Sequence, residues 1–248
     1  MLKPWLRLFR VVNLPTVPGD VLVGAAAFSA GGLVSARDLA LASAASVFLY
    51  MFGLADNDIV GAGTDSGRPI PDGEISLPAA KRARAACLCA GLGLLAAGGT
   101  LMLSALAVAV ATVAAVLVYN RTKRPLWMGA CRGLNALLGA AVFAPLWFMP
   151  RAWERAPLAV CAVAVVVLVW TAYIAAVTRY SEGEETDPAR RRRVGLLIEG
   201  IVHLQMLALV IFTLLWPSHS TRLLLIAGAV LLILSRAIKA ALPKVSAS

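Results

Sequence analysis

The sequence predicts an all-α integral membrane protein, a single bundle of eight transmembrane helices. Three observations carry this. Of 248 residues, 60% are hydrophobic and only 15% charged, against about a quarter charged in soluble chains. Mean hydropathy is +0.82. Apolar runs repeatedly approach twenty residues, the length at which a helix crosses a bilayer. A soluble enzyme and a disordered tail are thereby excluded. So is a disulfide-stapled secreted domain: Cys87, Cys89, Cys131 and Cys161 all lie in apolar runs without C-x-x-C spacing.

Read as helices, the runs cover roughly 13–32, 38–56, 78–100, 102–118, 130–149, 156–178, 194–216 and 221–241. The first follows a basic segment, Met1 to Arg10, as the core of a signal peptide does, but it is too long for one and is read as a span. Asn13, three residues after Arg10, either caps this helix or faces the interior. The second span ends on acidic residues. Gly91–Gly93 and Gly98-Gly99, in the third, mark close helix packing. On the fifth, Arg132 and Asn135 share one face, and a buried Arg with an Asn neighbour suits a cavity better than lipid. The sixth carries Trp170 and Tyr173, and Arg190 to Arg193 before the seventh read as an anchor on anionic lipid. Asp20 and Glu199 fall inside spans and should face the interior, with partners that local spacing does not reveal.

The net charge of +10 raises the question of a nucleic-acid partner, and position answers it. When alternate loops are threaded to opposite sides, all basic residues but Arg37, Arg151, Arg155 and Arg222 collect on one side. Basic loops stay cytoplasmic, so both termini are expected inside, in a multi-pass protein of a bacterial inner membrane. The charge reflects topology, with no nucleic acid implied.

The 13 carboxylates are distributed unevenly. Asp56, Asp58, Asp65, Asp72 and Glu74 follow the second span, and Glu182, Glu184, Glu185 and Asp187 follow the sixth. Two such clusters converging across a bundle can hold Mg²⁺, which takes oxygen ligands and shares them with substrate phosphates. Arg68, Lys81, Arg121, Lys123, Arg124, Arg132 and Arg179 offer donors for phosphate oxygens on the same side. The bland alternative is a positive-inside loop set with solvated acids. Taken singly, Asp58 is a ligand or a solvated helix end, Asn57 a ligand or a helix C-terminal residue, and Asp65 a ligand or a turn residue. Arg68 and Lys123 either grip phosphate or anchor their loops.

Asn57-Asp58, then Asp65, then Arg68-Pro69-Ile70-Pro71-Asp72-Gly73-Glu74-Ile75-Ser76 resembles the first signature of the UbiA superfamily of intramembrane prenyltransferases, N-D-x-x-D-x-x-x-D followed by R-P-x-P-x-G-x-I-S. Tyr119 to Arg124 is similar to that family's Y-x-x-x-K-R element. Met128 to Asn135, and Tyr173 to Thr178 leading into Ser181 to Glu184, look closest to its EboC-like branch. Gly61 stands where the signature's middle Asp is expected, and the second acidic stretch has no D-x-x-x-D.

The resemblance implies a UbiA-like bundle, usually of nine helices where eight are counted here, around a central cavity open to the cytoplasmic side. It implies one transmembrane prenyltransferase domain over 1–248. Mg²⁺ would be held by Asn57, Asp58 and Asp65 on one loop and by Glu182, Glu184 and Glu185 on the other. Asp58, Asp65 and Lys123 would be catalytic. Asn13, Asn57, Arg68, Arg132, Asn135 and Tyr173 would bind substrate. The partners implied are a prenyl diphosphate, a small aromatic or other lipophilic acceptor, and membrane lipid. Trp147, Phe148, Trp170 and Tyr173 are candidates to stabilise an allylic cation or to serve as plain packing. The alternative function is a non-catalytic carrier of a lipophilic metabolite with the same fold.

Overall fold

A computed structural model describes residues 2–29, 35–63, 67–142, 156–182 and 187–242. The regular elements of the described chain are all helices: α1 (Leu2–Leu8), α2 (Thr16–Phe28), α3 (Ala36–Val60), α4 (Leu77–Ala96), α5 (Leu103–Thr122), α6 (Pro125–Ala141), α7 (Ala156–Ser181), α8 (Pro188–Leu215) and α9 (His219–Ala241), with 3-10 turns at Val11–Asn13 and Gly99–Met102. Six helical stretches are long and apolar enough to cross a membrane: Val11–Phe28, α3, α5, α7, α8 and α9. The expected third and fifth spans correspond to α4 and α6, which fall short of that mark. Lys81, Arg82 and Arg84 occupy the first turns of α4, and α6 has only 17 residues.

Local chemistry sets the helix ends. Ser35 caps α3 by accepting from Asp38 N–H, and Asp187 caps α8 by accepting from Ala189 and Arg190 N–H. Ser218 and Thr221 form a reciprocal capping box at α9. Lys123, left-handed at φ 53°, stops α5, and Pro125 starts α6 two residues later. Two expected boundaries move as a result. Helix α3 runs past residue 56, so Asp56, Asn57 and Asp58 sit on its last turns and not in a loop. Helix α8 begins at Pro188, so Arg190 to Arg193 are helical.

The centre of the bundle is α2, buried on almost every residue, whereas α9 is buried mainly along Thr221, Leu224, Gly228 and Ser235. Close approach to α6 makes this burial possible. A Cβ on Gly24 would fall 1.7 Å from the Ala136 carbonyl oxygen, and one on Gly139 would fall 1.9 Å from that of Val21. Without glycine at both places the two backbones could not touch, as small-residue packing in membranes requires. On another face of α6, Gly129 and Gly133 admit Thr171 of α7 in the same way. The main core runs through Val21–Phe28, Leu49, Leu95, Ala136, Leu138, Trp170 and Leu209.

A second, smaller core lies at the end where α3 stops. Leu8, Ile70, Ile75 and Ala80 are buried there against Trp5, Phe9 and Ile59. Arg7 bonds both carboxylate oxygens of Glu74 at 2.9 and 3.0 Å and the Gly67 carbonyl at 2.8 Å. Thus α1 and the 67–76 loop form one cap, and this cap carries Arg10 and Arg68.

Candidate functional site

A cavity of 280 Å³ opens between the start of α2 and helices α3, α5 and α6. Each of the three walls contributes one stripe at helical spacing. From α3 come Ser46, Leu49, Tyr50, Gly53, Leu54 and Asn57; from α5, Thr112, Val116, Tyr119 and Asn120; from α6, Met128, Cys131, Arg132 and Asn135. Val17 closes the remaining side, and Arg10, Arg68 and Lys123 reach in from the caps and loops. Among the described residues the lining therefore holds four cations and no carboxylate, beside an apolar wall.

Among the described residues only Arg10 and Lys123 are non-glycine residues with positive φ, at 42° and 53°. A left-handed L-residue costs about 1–2 kcal/mol, so these backbones are held there by their surroundings. Both display a cation to the cavity. Lys123 Nζ donates to Asn57 Oδ1 and lies 5.7 Å from the centre of the Tyr119 ring. Arg68 donates to Oδ1 of the buried Asp58 at 3.1 Å. Asp56, also buried, accepts from Arg84 at 2.8 Å and from Asn120 at 2.9 Å, and Asn120 bonds the Gly53 carbonyl as well. These bonds let α3 continue through its acids.

Beneath the cavity lies a polar centre on Asp20, which is wholly buried. Its Oδ1 accepts from Trp170 Nε1 at 2.8 Å, Gln205 Nε2 at 2.6 Å and Arg132 Nη2 at 3.2 Å. Its Oδ2 accepts from Asn135 Nδ2 at 3.1 Å. Arg132 Nε stands 2.9 Å from Oδ2 but off the line a hydrogen bond needs, so that contact is an ion pair alone. One carboxylate thus ties α2 to α6, α7 and α8, and two of its partners, Arg132 and Asn135, are cavity walls.

The structure brings together Asn57, Arg68, Lys123, Arg132 and Asn135 as expected, with Asp58 joined to them through Arg68. It does not bring in three others. Asn13 lies in the 3-10 turn outside the cavity lining, its carbonyl accepting from Thr16 Oγ1 at 2.8 Å. Tyr173 is also outside the lining: its hydroxyl donates to the Leu197 carbonyl at 2.7 Å because this turn of α7 faces α8. Glu182 is exposed after α7 and offers its carbonyl to Arg190. Asp65, Glu184, Glu185, Trp147 and Phe148 lie outside the described residues. Lys81, Arg121, Arg124 and Arg179 stay out of the lining, and its aromatics are Tyr50 and Tyr119 in place of Trp170 and Tyr173.

Among the described residues no group of three His, Cys, Asp or Glu side chains gathers as metal ligands would. Asn57 and Asp58 on the last turns of α3 could hold Mg²⁺ by exchanging their bonds to Lys123 and Arg68 for the ion. The ion needs only one or two carboxylates when substrate phosphate and water complete its octahedron. The signal for Asp20 was an acid in an apolar run. Asn120 lies inside the Tyr119–Arg124 element, and the sequence marks Arg10 only by its place in a basic segment and its spacing to Asn13.

The sequence model of the UbiA prenyltransferase family matches residues 20–244. No protein of curated function matches the chain. Solved structures do. A digeranylgeranylglyceryl phosphate synthase is 20% identical with a TM-score of 0.55, the match covering 99% of this chain and 91% of that one. A UbiA homologue from Archaeoglobus fulgidus bound to GPP and Mg²⁺ is 17% identical with a TM-score of 0.55, covering 96% and 87%. The same homologue bound to DMAPP and Mg²⁺ is 16% identical with a TM-score of 0.56, covering 95% and 87%. At these identities the likeness is one of fold.

Proposed function

The chain belongs to the UbiA prenyltransferase family, and on that premise we propose that it transfers an isoprenyl group from a prenyl diphosphate to a small aromatic or other lipophilic acceptor. The observation that carries the proposal is the cavity lining, where among the described residues Arg10, Arg68 and Lys123, apart from the Arg132–Asp20 pair, stand with no lining carboxylate beside an apolar wall. An isoprenyl diphosphate has that polarity, a polyanion on a hydrocarbon tail. Arg10, Arg68 and Lys123 would grip the phosphate oxygens, and Val17, Leu49, Leu54, Val116 and Met128 would cover the tail.

In the transfer, the C1–O bond of the donor breaks and its electron pair leaves with the diphosphate. The acceptor supplies a new pair to C1 and gives up a proton to solvent. Preorganised cations at the leaving group lower this barrier because they need not reorganise as charge develops. Mg²⁺ bound through Asn57 and Asp58 would add a Lewis acid at the same oxygens. Asp65, Glu184 and Glu185 would complete its binding. A. fulgidus structures bound to GPP or DMAPP with Mg²⁺ support this reading of the donor and the ion. Tyr50 and Tyr119, as the aromatics of the lining, would stabilise a developing carbocation.

We assign the chain to the EboC-like branch on the Met128–Asn135 run. We further propose eight transmembrane helices in a bacterial inner membrane, with both termini and the cavity mouth cytoplasmic; the one-sided distribution of the basic residues supports that orientation. A carrier that binds donor without turnover is the second reading, favoured by Gly61. Gly61 stands where the family's middle Asp is expected and serves here to close α3 through an N–H bond to the Asn57 carbonyl. Diphosphate release decides between the two. Purified protein in liposomes, given geranyl, farnesyl or geranylgeranyl diphosphate with mixed phenol and quinol acceptors, should release diphosphate with Mg²⁺ and not with EDTA. Binding without release would favour the carrier.

A further inference from the structure

The cavity has two polar stations. Lys123, Asn57 and Arg68 occupy the end where α3 and α5 stop. Arg132 and Asn135 lie seven and ten residues along α6 from Pro125, roughly 10 and 15 Å down its axis. The inner station is built differently from the outer one. Asn135 spends both amide hydrogens, on the Val17 carbonyl at 2.8 Å and on Asp20 at 3.1 Å, which fixes the flip of the amide. Its Oδ1 accepts no hydrogen bond from a described residue and borders the cavity. Arg132 spends Nη2 on Thr16 and Asp20, while Nη1 has only a 3.4 Å contact with Thr16 Oγ1, leaving an N–H for a ligand. Both residues line the cavity, so the station offers one acceptor and one donor on neighbouring turns of α6. Its charge is already balanced, because the Arg132 cation is matched by the Asp20 carboxylate.

We propose that Arg132 and Asn135 recognise the hydroxyl of a neutral acceptor substrate, with Asp20 as the positioning residue that sets both and cancels the charge. A hydroxyl donates to Asn135 Oδ1 and accepts from Arg132 Nη1, satisfying both atoms at once. A carboxylate or phosphate cannot donate to Oδ1 and brings a charge that Arg132, already matched by Asp20, does not compensate. A bare hydrocarbon leaves both atoms dry and unpaired, and sites built for a hydroxyl reject such analogues strongly. This inference rests on the cavity being a prenyl-transfer site.

The test uses detergent-purified full chain and three probes of one ring system: 1-naphthol, 1-naphthoate and naphthalene. Equilibrium binding is followed by ligand fluorescence, and binding of geranyl diphosphate is measured on the same protein. 1-Naphthol should bind at least tenfold tighter than the other two, and Asn135→Leu should erase the preference over naphthalene. Asp20→Asn leaves the Arg132 charge unmatched, so the naphthoate-to-naphthol affinity ratio should rise at least tenfold, a change of preference that loss of fold would not produce. Equal binding of the three probes, absence of binding, or preference for naphthoate by wild-type protein overturns the inference. None of these needs a variant to fold. Geranyl diphosphate binding with any of those results would sink the acceptor site and leave the donor site standing. Failure to bind geranyl diphosphate would count against the transferase reading itself.

Discussion

Replacing Asp20 with alanine removes the acceptor on which Arg132, Asn135, Trp170 and Gln205 converge. Taking one partner from a buried ion pair costs about 3–5 kcal/mol, because the other charge stays buried without compensation. The orphaned Trp170 and Gln205 donors would each add about 1–3 kcal/mol if nothing moved. Water entering the vacated space, and the bonds Arg132 and Gln205 keep with the Thr16 carbonyl at 3.2 and 2.7 Å, recover part of that. Alanine's better helix propensity returns about half a kcal/mol. The expected net loss is about 4 kcal/mol. The assay is SDS titration in mixed micelles followed by far-UV circular dichroism. A second arm adds Arg132→Met, which removes the stranded charge and should regain about 2 kcal/mol relative to Asp20→Ala alone. A loss below about 1 kcal/mol for Asp20→Ala, or a double variant no more stable than the single, would refute the reasoning.

Gly24→Ala places a Cβ 1.7 Å from the Ala136 carbonyl, so α2 and α6 must part. A loss of about 3 kcal/mol is expected, whereas Gly93→Ala, with open space on α4, should be neutral or gain up to about 1 kcal/mol. Equal shifts in thermal unfolding would contradict the packing. Lys123→Gly relieves a left-handed residue at φ 53°, and the protein should be at least as stable as wild type. It should nonetheless bind geranyl diphosphate about ten- to a hundredfold more weakly, since a charge-assisted bond is worth about 1.5–3 kcal/mol; undiminished calorimetric affinity would remove Lys123 from the site. Arg84→Ala strands the buried Asp56 with Asn120 as its remaining described partner and should cost about 2–3 kcal/mol in the SDS titration. An unchanged midpoint would mean that water already solvates Asp56.

Hydropathy made the helices legible because apolar length is a local property. Boundaries were less so: α3 extends to Val60 because Asp56 and Asp58 find partners in Arg84, Asn120 and Arg68, and spacing alone cannot see a partner. The cavity walls followed the same division. Asn57, Lys123, Arg132 and Asn135 could be read as candidates because each stands in a short motif. Asp20 was visible as an acid inside a span, yet its partners lie 112 to 185 positions away, on helices whose order in the bundle is a tertiary fact. Tyr173 shows the converse. A suitable side chain near the right motif turned to α8 because periodicity gives the face of a helix and not the neighbour it meets.

The central claim is that one cavity, lined by Arg10, Arg68, Lys123 and Arg132, holds a prenyl diphosphate with Mg²⁺. Its most direct test is a calorimetric titration of detergent-purified protein with geranyl, farnesyl and geranylgeranyl diphosphate, in Mg²⁺ and in EDTA. Saturable one-to-one binding of at least one chain length, tighter in Mg²⁺ and weakened in Asp58→Asn protein of normal folded yield, is the expected result. No binding of any diphosphate under either condition would contradict the claim.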